Sequence, residues 1–152
     1  MRVIASGERD EPLIEHPESV AIVPVEDGDV VFVRQTRRGA RGKVVEIPSG
    51  KLEPGETPAE AAVRELAEEC ALGAREWREV GSFWAAPAYS TEYVHVFAAR
   101  RLHAVDPRRL DADEDIELER RPLAAGLDWL EDAISVAALA LYLCTDSGEV
   151  RA

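Results

Sequence analysis

The sequence has few cysteines, few aromatic residues and no long hydrophobic run. Its two cysteines, Cys70 and Cys144, lie far apart in the 152 residues. Two reduced, buried thiols are therefore a better prediction than one disulfide. No apolar run reaches the roughly 20 residues that cross a bilayer, and the N-terminal stretch contains no apolar signal region. We expect a cytoplasmic protein with no membrane partner.

Basic side chains are scarce relative to acidic ones. The chain carries 18 Lys and Arg against 30 Asp and Glu, which gives a formal net charge of −12. Such a field disfavours nucleic acid as a partner, because its phosphates need cationic side chains. It favours divalent cations and, through them, small phosphorylated ligands.

The order of hydrophobic runs indicates one mixed α/β domain. β-rich runs at 20–25 and 29–35 flank Asp27-Gly28, the clearest hairpin signal in the chain. Strands then alternate with helices, without repeats or an internal linker. The remaining predicted elements are strands at 43–47, 77–86 and 92–102, and helices at 58–70 and roughly 127–143.

The same pattern divides the chain into three segments. Residues 1–18 are polar and broken by prolines, which indicates an arm or irregular lead-in. Residues 19–143 form the domain, within which 106–119 is a polar, acidic connector. Residues 144–152 form a tail that we expect to fray.

The helix over 58–70 has the best-defined start. Thr57 can act as the N-cap, Pro58 suits the first helical position, and Glu60 completes a Thr-x-x-Glu capping box. Directly before it, the stretch EIPSGKLEPGE (46–56) combines prolines, glycines and glutamates in a loop. The sequence therefore predicts a loop that leads directly into a helix.

Three glutamates of this helix crowd onto one face. At about 100° per residue, Glu65, Glu68 and Glu69 occupy one arc of about 100°, opposite an apolar stripe. A solvated face with a Glu60–Arg64 pair is the ordinary explanation. However, like charges at these spacings repel, and the helix C-terminus also disfavours anions. A local cost without a local gain indicates function, and hard oxygen ligands suit Mg²⁺ or Mn²⁺.

The spacing of the loop and helix residues resembles the Nudix signature. Only one signature position departs, where Ala71 replaces a glycine. Because alanine resists the left-handed conformation by roughly 1 kcal/mol, we expect the helix end to be shifted or reshaped toward Gly73. The matching residues are Gly50, Glu56, Arg64, Glu65, Leu66, Glu68, Glu69 and Leu72.

This resemblance implies a Nudix fold, with a mixed β-sheet sandwiched between helices. It also implies hydrolysis of a nucleoside diphosphate linked to another moiety, with Mg²⁺ (or Mn²⁺) as cofactor. Glu65, Glu68 and Glu69 would act as metal ligands and catalytic residues, joined by the backbone carbonyl near Ser49. The implied structural support comes from Gly50, Glu56 and Arg64.

Around the signature, the chain resembles the ADP-ribose pyrophosphatase branch of the family. RQTR (34–37), EIPSGKLEPGE and AAPAYSTEYVHVFAARRL (85–102) are similar to segments of that branch. The implied substrate-binding residues are Arg37, Glu46, Pro87 and Glu92. A surface salt bridge of Arg37 and an ordinary strand-ending role of Pro87 remain open.

Two further expectations concern the catalytic base and the assembly. In related enzymes a loop at the place of the acidic connector supplies a base, for which Glu114 is the candidate and Asp113 and Asp115 are rivals. A solvated acidic loop is an equal alternative. Branch members are commonly homodimers in which N-terminal strands help to build the partner's site. Because the arm before the first predicted strand is short here, we expect a homodimer in which the exchanged arm is reduced.

Two other functions stay open. One is a Nudix hydrolase of another nucleotide, such as a dinucleoside polyphosphate, another nucleotide sugar or an oxidised nucleotide, because flanking loops set the substrate. The other is a Nudix-fold ligand sensor without turnover, which the intact repelling glutamates disfavour.

Overall fold

The computed structural model describes residues 2–6, 11–106 and 116–146. These residues form nine strands and two α-helices. The strands are β1 (Arg2–Ser6), β2 (Glu11–Glu15), β3 (Ser19–Glu26), β4 (Asp29–Arg37), β5 (Gly42–Glu46), β6 (Ser49–Lys51), β7 (Leu72–Trp84), β8 (Tyr93–Ala104) and β9 (Glu117–Pro122). The helices are α1 (Pro58–Cys70) and α2 (Ala133–Asp146).

A seven-stranded mixed sheet forms the centre of the fold. Its main order is β5-β4-β3-β8-β7, with β6 added to β3 and β9 added to β4. The β3–β8 pair is parallel and the other pairs are antiparallel. β6 pairs with the first residues of β3, from Ser19 to Ala21, which brings the loop before α1 to the edge of the sheet. The predicted mixed sheet is confirmed.

Each face of this sheet carries its own hydrophobic core. Alternate residues of β3 separate the two: Val20 and Ile22 pack on the α1 side, whereas Ala21 and Val23 pack on the α2 side. All four side chains are fully buried. This alternation follows from the period of two in a strand, and it places one helix over each face of the sheet.

Local signals predicted the hairpin and the first helix correctly. Asp27 and Gly28 both have positive φ, at 52° and 85°, as the tightest hairpin turns require. The helix α1 has the predicted bounds, and it carries the predicted capping box between Thr57 and Glu60.

Several predicted boundaries were wrong. The lead-in is not irregular, because β1 and β2 pair as an antiparallel hairpin. β7 begins at Leu72 rather than at 77, and residues 117–119 of the predicted connector belong to β9, which pairs with β4. Val80 is the one buried residue of β7 and β9 has none, so pairing with a distant partner decides these two strands rather than a hydrophobic pattern of their own.

The second helix starts later and ends later than predicted. Residues 127–130 pack against the core without forming a helix, after a 3-10 turn at Leu123–Ala125. Asp132 caps α2 by accepting a hydrogen bond from the Ser135 amide at 2.9 Å. The helix then continues through residues 144–146, which we had assigned to the frayed tail. The rest of that tail lies outside the described residues.

The end of α1 also differs from the expectation. The helix is not shifted toward Gly73; instead Ala71 itself adopts the left-handed conformation, with φ 53° and ψ 35°. Its amide bonds back to the Ala67 carbonyl, while its carbonyl accepts from the Val105 amide at 3.0 Å. Because β7 starts at the next residue, the chain must turn here, and tertiary pairing imposes the strained conformation on alanine.

The two thiols differ in burial. Both cysteines are free, but only Cys70 is buried, so the expectation of two buried thiols was wrong for Cys144. Burial raises the pKa of the Cys70 thiol. Within the described ranges, no helix has the length and apolar character needed to cross a membrane.

Candidate active site

The loop between β5 and α1 folds back over the helix and is held there by Arg64. The guanidinium donates from Nε and Nη2 to the two carboxylate oxygens of Glu56, both at 2.8 Å, and from Nη2 to the Lys51 carbonyl at 2.9 Å. These hydrogen bonds lower the pKa of Glu56 and raise that of Arg64. A bidentate pair of this kind fixes orientation as well as distance, so the supporting geometry proposed for Glu56 and Arg64 is present.

Arg64 also reaches the carboxylates of α1. Its Nη1 donates to Glu65 at 2.7 Å and to Glu68 at 3.1 Å. Glu65 is only 13% exposed and Glu68 is 31% exposed. Burial raises the pKa of Glu65, although Arg64 opposes this effect. One arginine therefore partly neutralises two carboxylates that would otherwise repel each other at close range.

Glu69 is oriented by the loop rather than by the arginine. Its Oε2 accepts a hydrogen bond from the Ser49 amide at 2.9 Å. Ser49 and the three glutamates all line one open cavity of about 610 Å³. The structure thus brings together the residues that the sequence singled out as a metal site, across 20 residues of chain.

Gly50 fits this site for a steric reason. A Cβ at this position would lie 1.9 Å from Oε1 of Glu65, far inside van der Waals contact. The loop backbone can therefore approach the Glu65 carboxylate only if residue 50 has no side chain.

A second cavity of about 430 Å³ lies on the other side of β6 and shares four residues with the first. Its walls combine apolar side chains from the sheet and α2 with at least as many polar and charged ones, which can orient a bound ligand. The shared residues are Arg37, Ser49, Gly50 and Lys51. The two cavities together can hold an elongated ligand whose ends differ in polarity.

Arg37 and Glu46, predicted as substrate-binding residues, form a pair between the cavities. Nε of Arg37 lies 3.0 and 2.9 Å from the Glu46 oxygens, and Nη2 lies 2.6 Å from Oε2. Gln35 adds a donor to the same carboxylate at 3.2 Å. Burial lowers the pKa of Arg37, but its bonds to Glu46 together with the negative charges of Glu46, Glu69 and Asp132 raise it overall.

The other predicted substrate residues have different outcomes. Glu92 lines the second cavity, where its Oε1 accepts a hydrogen bond from the Ser19 hydroxyl at 2.9 Å. Pro87 is exposed in the loop between β7 and β8 and lines neither cavity. The candidate base Glu114 and its rivals Asp113 and Asp115 lie outside the described residues.

The comparisons with known proteins agree with this geometry. The chain matches the NUDIX domain family over residues 15–137. The chain belongs to the Nudix family. The match begins slightly before the predicted domain and ends within α2.

Several relatives resemble this Nudix chain along most of its length. An ADP-ribose pyrophosphatase of Bacillus subtilis is 38% identical over 121 residues, covering 78% of this chain and 65% of that protein. A methanol dehydrogenase activator of Bacillus methanolicus is 32% identical, covering 79% and 66%. The chain thus spans just under two thirds of the length of these relatives.

A solved structure shows the same fold. The crystal structure of an ADP compounds hydrolase superposes with a TM-score of 0.82 at 30% identity, covering 93% of this chain and 79% of that one. The predicted Nudix fold, a mixed sheet between helices, is therefore confirmed.

The Nudix site also contains residues that sequence reasoning missed. His16, Ser19 and Asp132 line the second cavity. Asp132 had a detectable signal, because an aspartate three residues before Ser135 is a typical N-cap. Its Oδ1 makes that cap, whereas Oδ2 is buried and, within the described part of the chain, has no hydrogen-bond partner. His16 and Ser19 carried no local signal.

The carboxylates fit a divalent cation that is completed by its ligand. Within the described residues, no three His, Cys, Asp or Glu side chains converge into a cage for a metal ion. Mg²⁺ does not need one, because it binds one or two carboxylates and takes its other ligands from water and phosphate. A buried carboxylate with a raised pKa, such as Glu65, gains most from a cation beside it. Nudix hydrolases generally use divalent metals.

Proposed function

We propose that this Nudix chain hydrolyses the pyrophosphate bond of a nucleoside diphosphate derivative, most specifically ADP-ribose or an ADP-sugar, to AMP and a sugar phosphate. The observation that carries the proposal is the joined pair of cavities, one lined by Glu65, Glu68 and Glu69 and one lined by both apolar and polar side chains, with Arg37 in both. The names of the ADP-ribose pyrophosphatase and ADP compounds hydrolase relatives support this substrate class.

The carboxylate cavity suits the pyrophosphate and the second cavity suits one of the groups attached to it. Glu65, Glu68 and Glu69 would hold Mg²⁺ or Mn²⁺, with the Ser49 carbonyl as a further ligand. Bound metal supplies charge neutralisation for the phosphate oxygens. Arg64 keeps the cluster in place, and a carboxylate accepts the proton of the attacking water. We assign that role to Glu114, with Asp113 and Asp115 as the alternatives.

Arg37 and Lys51 are the two cationic residues that line both cavities. Of these, Arg37 is the proposed substrate ligand. Its side chain can turn one face toward a phosphate while its bonds to Glu46 hold it in position. Glu92 and Ser19 then present polar atoms to a hydroxyl-bearing group in the second cavity. Pro87 remains proposed only as a sequence marker of the ADP-ribose pyrophosphatase branch, because it lines neither cavity.

A panel of nucleotides assayed with Mg²⁺, with Mn²⁺ and with EDTA tests this proposal. We expect metal-dependent release of AMP and ribose 5-phosphate from ADP-ribose and none with EDTA. Strong turnover of a dinucleoside polyphosphate or oxidised nucleotide, with ADP-ribose inert, would reject the substrate assignment. Binding without turnover of any member would instead support a ligand sensor.

We also propose a cytoplasmic homodimer. Trp84 and Tyr89 are 54% and 56% exposed near the second cavity, and exposed aromatic side chains are common at interfaces. Light scattering of the purified chain gives the mass directly, and a monomeric mass at micromolar concentration would reject the dimer.

A further inference from the structure

The end of β2 and the residue that follows it are bonded to the loop between β7 and β8 of the same chain. The Ile14 amide donates to the Tyr89 carbonyl at 2.8 Å, and the Thr91 amide donates to the Ile14 carbonyl at 3.0 Å. Ile14 and Ser90 form a parallel bridge between these two bonds. The lead-in is therefore attached to a loop some 75 residues away along the chain.

The side chain of Thr91 closes this attachment. Its Oγ1 accepts a hydrogen bond from the His16 amide at 2.8 Å and donates one to the His16 carbonyl at 3.1 Å. A hydroxyl can do both, because it carries one donor and two acceptor lone pairs. Both backbone polar groups of His16 are thus satisfied by one side chain, which fixes the position of that residue.

His16 in turn lies against the second cavity. Its side chain is 12% exposed, and its Nδ1 donates to the Pro17 carbonyl at 2.7 Å. The same nitrogen lies 3.7 Å from Oε1 of Glu92, which the Ser19 hydroxyl also contacts. His16, Ser19 and Glu92 therefore form one polar wall of the cavity, and Thr91 connects that wall to the loop.

We infer that Thr91 is a positioning residue which holds His16 and Glu92 against the sugar or nucleoside part of the substrate. This inference rests on the proposed function, since it assigns the second cavity to that uncharged part. His16 and Glu92 lie on the far side of β6 from the carboxylate cluster. We call the two hydrogen bonds between Thr91 and the backbone of His16 the clamp. Loss of this clamp therefore weakens substrate binding and leaves the chemistry of the carboxylate cluster intact.

Two substitutions at one position separate the hydroxyl from the shape of the side chain. Thr91→Val keeps the shape and removes both hydrogen bonds, whereas Thr91→Ser keeps the hydroxyl. With ADP-ribose and Mg²⁺ we expect Thr91→Val to raise KM about 10-fold, the value of one to two hydrogen bonds. We expect kcat to change by less than about twofold, and Thr91→Ser to retain the wild-type KM. Equal KM values for both variants, or a fall in kcat alone, would overturn the inference.

A second variant tests whether Thr91 acts through His16. His16→Ala should raise KM similarly. The double variant with Thr91→Val should raise it no further, because each change removes the contact between the His16 side chain and the substrate. Fully multiplicative effects would show that the two residues act independently.

Amide hydrogen exchange distinguishes a failure of this inference from a failure of the proposed function. Inert wild-type protein with ADP-ribose would reject the proposed substrate. Exchange over residues 12–19 must nevertheless be faster in Thr91→Val than in Thr91→Ser, since the clamp exists without nucleotide. Equal exchange in the two variants would overturn the clamp itself.

Discussion

Glu65, Glu68 and Glu69 share one face of α1 but have three different environments. Glu65 is more buried than Glu68 and lies against Gly50. Glu68 accepts a hydrogen bond from Arg64, as Glu65 does, whereas Glu69 accepts one from the Ser49 amide of the loop. These carboxylates therefore differ in how firmly they are held, and Glu69 is the one that the loop positions directly.

Glu69→Gln tests the proposed metal role at the scale of one residue. The amide oxygen of glutamine can still accept from Ser49, so we expect the fold to remain, but the charge is lost. Turnover of ADP-ribose should fall by about 100-fold or more, the usual effect of removing one electrostatic partner at a reacting centre. Steady-state kinetics with circular dichroism of the same samples checks both statements.

Glu76→Gln is the matched control for this change. Glu76 is exposed on β7, and within the described part of the chain its carboxylate pairs with exposed Arg101. Its loss should leave turnover and stability nearly unchanged. Unaltered turnover in Glu69→Gln would contradict a ligand role for Glu69.

At the scale of elements, the junction between α1 and β7 stores conformational strain. Ala71 occupies the left-handed region, where a Cβ costs roughly 1–2 kcal/mol. Ala71→Gly should therefore stabilise the protein by up to about 1 kcal/mol after the larger entropy of unfolded glycine is deducted. Thermal unfolding should show a midpoint higher by about 2–4 °C.

The control for this prediction lies three residues further along. Ala74 is in β7, paired with Leu102, where glycine has no conformational advantage. Ala74→Gly should lower the midpoint by the ordinary cost of glycine in a strand. A lower midpoint in Ala71→Gly as well would show that the junction is not strained.

The contact between the loop and α1 also gives the stability a pH dependence. Arg64 lowers the pKa of Glu56 in the folded state below its value of about 4.3 in an unfolded chain. The stabilisation is therefore complete above that value and is lost as the pH falls through the lowered folded-state pKa. Glu56→Gln should cost about 2 kcal/mol at pH 7, as expected for charged hydrogen bonds.

Urea unfolding at pH 7 and at pH 3 measures this dependence. The difference in free energy of unfolding between wild type and Glu56→Gln should shrink at the lower pH, because Glu56 then becomes protonated. A difference that stays constant between the two pH values would show that the Glu56 charge contributes nothing.

At the scale of the whole molecule, the sheet separates two cores that share no residue. Ile22 is fully buried on the α1 side and Leu139 is buried on the α2 side. Ile22→Val should cost about 1 kcal/mol and Leu139→Ala about 3 kcal/mol. Because the two sites have no common packing partner, the double variant should match the sum within about 0.5 kcal/mol.

Chemical denaturation of the two single variants and the double variant measures this sum. A deviation from additivity well above about 0.5 kcal/mol would show that the sheet transmits packing changes between its faces. Neither Ile22 nor Leu139 lines either of the two cavities described above, so neither variant removes a residue from their walls.

The sequence by itself determined the features that depend on neighbouring residues. The hairpin at Asp27-Gly28, the start of α1 at Thr57 and the carboxylate face each need only contacts within about four residues, and all three were predicted. The spacing of Gly50 to Glu69 identified the family for the same reason, since its parts lie on one loop and one helix.

The tertiary structure alone decided which distant residues meet. Arg37 and Glu46 pair because β5 folds back against β4 and the long arginine side chain reaches along the strands, although the residue opposite Arg37 is Gly42. Residues 14–16 reach the loop at 89–91 because sheet pairing places both at one end of the molecule. Such contacts depend on strand order and burial, which no local pattern encodes. The carboxylate cluster was therefore readable in the sequence, whereas only the fold showed that His16, Ser19 and Asp132 join Arg37, Glu46 and Glu92 in one cavity.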